Sequence, residues 1–117
     1  LKLLPRDASH VFEFRYNSWF DNEVLKLLRH YNVGFCIYDM PGFSTPVIAT
    51  SDFVYIHFHG SQWLYGGSYS DKELEDWARR IGALKASAVY AYFNNDAEES
   101  AIKNALMLKD LLANFVL

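Results

Sequence analysis

The sequence predicts an α/β fold built on parallel strands, forming one rim of a barrel or of a wound sheet. Three observations predict it. Four apolar stretches each run into a polar cluster: Glu13–Arg15, Asp39, His57–His59–Gly60 and Asn94–Asn95–Asp96. Buried parallel strands read as near-continuous hydrophobic runs, and α/β sheets carry their chemistry at the strands' carboxyl ends. These stretches also alternate with helical patterns in the order β-α-β-loop-β-α-β-α, which favours parallel strands joined by right-handed crossovers. Finally, 117 residues with 51% hydrophobic and 17% aromatic content make one small folded domain, about half the length of a typical eight-stranded α/β barrel.

Residues 10–16 (HVFEFRY) give the first strand. A helix follows from Asp21 to Tyr31, with Asp21 as N-cap and Val24, Leu25, Leu27, Leu28 and Tyr31 as its apolar stripe. Residues 33–38 (VGFCIY) are the second strand. Residues 40–52 hold two of the three prolines and a glycine, and read as a long loop that is either functional or a lost helix. Residues 53–59 (FVYIHFH) form the third strand. Ser70 and Glu73 then make an S-x-x-E capping box for a helix carrying Leu74, Trp77, Ala78 and Ile81 at i, i+3, i+4 and i+7. Residues 88–93 (AVYAYF) are the fourth strand. Asp96 with Glu99 repeats the capping logic for a last helix, with Ile102, Ala105, Leu108, Leu112 and Phe115 on one side.

Charge and cysteine usage narrow the function classes. A net charge of −3 without basic runs gives no reason to expect nucleic acid or an anionic membrane surface as partner. Cys36 is the only cysteine, so no internal disulfide can form. No apolar stretch approaches the roughly 18 to 20 residues that span a bilayer, and no signal peptide is visible, so a cytoplasmic location is the default. The chain opens on Leu1, a hint of a longer protein, and four strands with helices on one face would leave the other face bare. Self-association or a missing N-terminal half is therefore expected.

Strand alternation groups Tyr55, His57 and His59 on one face, Glu13 with Arg15, and Tyr90 and Tyr92 with Asn94. His59 is the candidate proton carrier, because an imidazole titrates near neutrality, and Glu13 is the candidate carboxylate partner. Arg15 could clamp a carboxylate or phosphate with its planar fork, or serve only as an internal partner of Glu13. The stretch Gly66–Gly67–Ser68–Tyr69 before the capped helix could admit an anion at free backbone N–H groups, and a tight turn explains the same glycines. Asn94 and Asn95 follow the fourth strand as rim donors, and Trp19 with Trp63 could wall a pocket or pack on its top. No residue is assigned to a metal. The alternative is a divalent-metal hydrolase or isomerase built on His57, His59 and Glu13 or Asp39. Cys36, in an apolar strand, reads as core filler.

Together, FEFRYNSWF (12–20), VGFCIYDMPG (33–42), DFVYIHFHG (52–60), YGGSYSDKELEDWARRI (65–81) and VYAYFNNDAEESAIKNALMLKDLL (89–112) resemble the C-terminal half of the YecE-like family, domain of unknown function 72. The resemblance covers nearly the whole chain. It implies half of a TIM-type (β/α)8 barrel, strands five to eight, with residues 1–117 as the C-terminal half of the domain. It also implies polar site positions at Glu13, Arg15, Trp19, Asp39, His59, Gly60, Tyr65, Ser68, Tyr69, Tyr92, Asn94, Asn95 and Asp96. His57 stands where the family pattern Y-V-R-F-H-G has arginine, and Tyr16 where it commonly has histidine. The expected function is binding of a small anionic, phosphate- or carboxylate-bearing ligand at the carboxyl-end rim, by an enzyme or the remnant of one. A non-catalytic assembly module is the remaining alternative, and no cofactor is indicated.

Overall fold

The computed structural model describes residues 1–115. Five strands and three α-helices follow in chain order: β1 (Val11–Phe12), α1 (Asn22–His30), β2 (Gly34–Met40), β3 (Phe43–Ser44), β4 (Phe53–Phe58), α2 (Asp71–Gly82), β5 (Ala88–Phe93) and α3 (Ser100–Ala113). Short 3₁₀ turns occupy Asn17–Trp19 and Ala97–Glu99. The sheet order is β1-β2-β4-β5 with all three neighbouring pairs parallel, which is the α/β arrangement of half a barrel. Among the described residues, no helix is long and apolar enough to cross a membrane.

The parallel register sorts side chains onto two faces. Phe35 and Ile37 of β2 join Val54, Ile56 and Phe58 of β4 in one core with Leu25 and Leu28 of α1, Leu74, Trp77, Ala78 and Ile81 of α2, and Leu108 of α3. All three helices therefore cover one face. On the other, Cys36 aligns with Tyr55 and Tyr90, and Tyr38 with His57 and Tyr92. Tyr90 and Tyr92 of β5 remain half-exposed there, and β5 pairs only with β4, so its outer edge carries no strand partner among the described residues.

Local signals explain the helix starts. Asp21 accepts a hydrogen bond from the Glu23 N–H at 2.8 Å, as an N-cap should. At α2 the Ser70 hydroxyl accepts from the Glu73 N–H while the Glu73 carboxylate accepts from the Ser70 N–H at 2.7 Å, closing the capping box.

Four expectations need correction. The first strand is two residues rather than seven: β1 has a single neighbour, and the chain turns into the 3₁₀ segment after Tyr16. The loop 40–52 is ordered and includes β3, antiparallel to β2; buried Thr45 and Thr50 pin it, Thr45 Oγ1 accepting from the Tyr38 N–H and Thr50 Oγ1 donating to Val33 O at 2.7 Å. Leu27 points to solvent, leaving Leu25 and Leu28 as the buried stripe of α1. Asp96 makes no capping bond; the chain passes through Glu99 at φ 59° before α3 begins, and α3 buries Ala101, Asn104 and Leu108 while Ile102 and Phe115 are exposed.

Candidate functional site

Parallel pairing brings the chemistry-bearing residues of β2, β4 and the segment following β1 together on the face away from the helices. Val11 aligns with Gly34, so alternation carries Glu13 to the level of Cys36. There Glu13 Oε2 lies 2.7 Å from His57 Nδ1 and 3.6 Å from Cys36 Sγ, whose thiol donates to it. The other carboxylate oxygen, Oε1, lies 2.6 Å from Arg15 Nη2, an ion pair by distance that lacks hydrogen-bond alignment. Arg15 itself is exposed and sits 5.6 Å above the Tyr38 ring, while Tyr38 donates its hydroxyl to Phe14 O at 3.0 Å. Glu13 thus holds a guanidinium on one oxygen and an imidazole on the other.

His59 is the unusual member. Its ring is 4% exposed, yet neither Nδ1 nor Nε2 has a hydrogen-bond partner. It stands among the rings of His57, Tyr65 and Tyr38, at centroid distances of 5.6, 5.7 and 6.1 Å. Burial lowers its pKa below the ordinary imidazole value, because the charged form would lose its hydration, and the negative charge of Glu13 opposes that shift only in part. His59 is accordingly a neutral base. Cys36 shifts the opposite way: burial, reinforced by the Glu13 charge, pushes its thiol up to about 12. Burial also raises Tyr38 and Tyr55, the latter with help from neighbouring Tyr92.

Several residues proposed as ligand contacts are occupied with the fold. Asn95 is fully buried, donating from Nδ2 to Gly67 O and to Asn104 Oδ1, each at 2.9 Å. The Ser68 hydroxyl lies within hydrogen-bond reach of Tyr69 O and Asn104. Tyr69 is buried and its hydroxyl accepts from the Gly60 N–H and donates to Asp39 Oδ2 at 3.0 Å; burial and then the Asp39 charge raise its pKa. Gly67 takes φ +75°, which favours glycine, and the Trp63 ring lies over Gly66 where a Cβ would stand. The start of α2 has its own acidic residues, Asp71 and Glu73, and its capping box uses the donors an anion would need.

Asp39 aligns with Phe58, on the helix-covered side, and its carboxylate accepts from Ser44 and Tyr69. It therefore does not converge with His57. Trp19 is half-exposed and stacks on Phe14 at 4.9 Å; Trp63 is likewise half-exposed. Asn94 is half-buried at the end of β5, its N–H donating to Phe58 O at 2.8 Å.

Two participants escaped sequence reasoning. Cys36 read as apolar filler, and only the register between β1 and β2 reveals it beside Glu13. Asn104, a polar residue inside a helical pattern, is buried and organises residues 68–69; its place among apolar neighbours was the available signal. A further groove lies elsewhere, at the amino ends of the strands between the N-terminal segment and the end of α1, lined by Leu1, Leu4, Pro5, Tyr31 and Val33 among others.

Comparison with known proteins gives a consistent family. The model described as "Protein of unknown function DUF72" matches residues 1–116. A crystal structure of a DUF72 family protein from Thermotoga maritima MSB8 is similar at 29% identity and a TM-score of 0.79, covering 91% of this chain and 46% of its own. A DUF72 family protein from Enterococcus faecalis V583 is similar at 23% identity and a TM-score of 0.78, covering 92% of this chain and 48% of its own. The chain thus spans about half the length of the solved structures it matches. A search of curated proteins found no match.

Proposed function

The chain belongs to the DUF72 family, and from that premise we propose that its polar face binds a small carboxylate- or phosphate-bearing molecule at the carboxyl-end rim, beside a neutral histidine able to accept a proton. The observation that carries this reading is His59, buried with two partnerless ring nitrogens. Burying a polar group without a partner costs about 1–3 kcal/mol, and a ligand hydroxyl or acid proton would remove that cost. Arg15 supplies the attraction: its guanidinium is exposed, held on Glu13, and presents donors that match carboxylate or phosphate oxygens. Glu13 sets the orientation of Arg15 and His57 together. Asn94, at the end of β5, is the remaining candidate donor at the rim. Asn95, Ser68 and Tyr69 hold the rim's shape instead of touching the ligand.

The test is NMR-monitored titration of the chain with inorganic phosphate and, separately, a small dicarboxylate. Saturable shifts at the His59 imidazole are expected at millimolar ligand, weakened at least tenfold by Arg15→Ala, with melting unchanged. No saturable shift, or equal binding by Arg15→Ala, ends this reading.

A second reading concerns assembly, and the unpaired β5 edge favours it. An edge of free backbone donors and acceptors next to exposed Tyr90 and Tyr92 suits a further parallel strand. The occupant we infer is the complementary strand–helix half of the same family fold, or a second copy of this chain in its place. Light scattering on the chain alone should give a mass above the monomer. A monomer that melts cooperatively at all concentrations overturns it.

A further inference from the structure

We propose that Glu13, Cys36 and His57 form a binding site for a single zinc-type divalent cation. The donor atoms Glu13 Oε, Cys36 Sγ and His57 Nδ1 all lie within 4.8 Å of one another, drawn from β2, β4 and the segment following β1. A carboxylate oxygen, a thiolate and an imidazole nitrogen are the donors that zinc takes, at about 2.0–2.3 Å each in a tetrahedral shell.

The second observation is His59. Its ring stands 5.6 Å from that of His57 on the same strand face, buried and without a partner on either nitrogen. Three ligands would leave the fourth tetrahedral position to water, and His59 is the neighbouring side chain with unused hydrogen-bonding capacity beside it. The set also differs from a Cys₄ or Cys₂His₂ structural site, in which the protein fills the whole shell.

Binding rearranges protons in a defined way. The thiol of Cys36, protonated in the metal-free chain, releases its proton to solvent and binds through sulfur. His57, whose Nδ1–H donates to Glu13 in the metal-free chain, gives up that proton to solvent, carries its one remaining proton on Nε2 and turns the freed Nδ1 lone pair to the ion. Glu13, already a carboxylate, exchanges its bond to His57 for the metal. Binding therefore releases protons, and affinity rises with pH. The inference does not depend on the anion reading: it shares Glu13, His57 and His59 with that reading but adds Cys36 and needs neither Arg15 nor an anion.

The experiment is titration of the reduced chain with Zn(II) and, as a spectroscopic probe, Co(II) at pH 8. Expected are one ion per chain, net proton release in calorimetry across two buffers, and a thiolate-to-Co(II) charge-transfer band in the near ultraviolet. His57→Gln should weaken binding tenfold or more while leaving the circular dichroism of the fold intact. The band is read on the unaltered chain, so a Cys36→Ser variant that fails to fold does not remove the test. Absence of uptake, uptake without the thiolate band, or unchanged affinity in His57→Gln overturns the proposal.

Discussion

Asn104 holds Tyr69 by both ends of its main chain: its Oδ1 accepts from the Tyr69 N–H at 3.1 Å, and its Nδ2 donates to Tyr69 O at 3.0 Å, across 35 positions of sequence. The same Oδ1 accepts from Asn95. One helix side chain thus ties together the segment before α2 and the segment after β5.

Replacing Asn104 by Ala leaves the Tyr69 N–H and C=O and the Asn95 amide short of partners in a buried place. The expected cost is about 1–3 kcal/mol, read from the urea midpoint at unchanged slope. Amide exchange in residues 61–69 should accelerate more than in β4. Unchanged exchange there would show that the segment is held by something else.

Ser70→Ala removes one half of the capping box at α2 and should cost about 1 kcal/mol, with Ser70→Gly costing less. Both values come from urea unfolding. The face bearing Glu13 and His57 should keep its properties, because the Ser70 hydroxyl bonds only with Glu73 among the described residues.

Stability should form a plateau bounded by two groups shifted in opposite directions. His59 has a folded pKa below its unfolded value of 6.5, so the unfolded chain takes up the proton first and stability falls as pH drops below about 6.5. Cys36 is raised from 9.0 to about 12, so its contribution is full below 9.0 and is lost as pH climbs from there. Urea midpoints across pH check both limbs. His59→Phe should flatten the acid limb.

Alkylation offers a direct check on Cys36. A buried thiol held protonated beside a carboxylate is a poor nucleophile. Iodoacetamide should leave Cys36 unmodified at pH 7 in the folded chain and modify it fully in urea. Rapid labelling of the folded chain would contradict its burial.

What could be read from the sequence is what short-range physics decides. The box Ser70–Glu73 and the stripe Leu74, Trp77, Ala78 and Ile81 involve residues one or two helical turns apart, and all four apolar members are buried. Strands β4 and β5 likewise announce themselves as continuous apolar runs. Reasoning failed where distant partners decide. Asn104 is drawn inward by Tyr69 and Asn95, which turns α3 so that Ile102 faces out, contrary to its hydrophobicity. Asp39 has the residue type of a rim carboxylate, but its side of the strand and Tyr69 commit it elsewhere. Cys36 joins Glu13 and His57 only through inter-strand register, which no single segment encodes. The DUF72 blocks supplied the half-barrel architecture, which periodicity alone left open between barrel and wound sheet.

The Tyr69 hydroxyl takes a bond from the Gly60 amide and gives one to Asp39, linking the loop after β4 to the end of β2 from the entrance of α2. Mechanically, this is a rivet through three strips of chain. Opening of the ceiling above the sheet is therefore expected to be collective, and cutting the rivet by Tyr69→Phe should let each flap relax at its own rate.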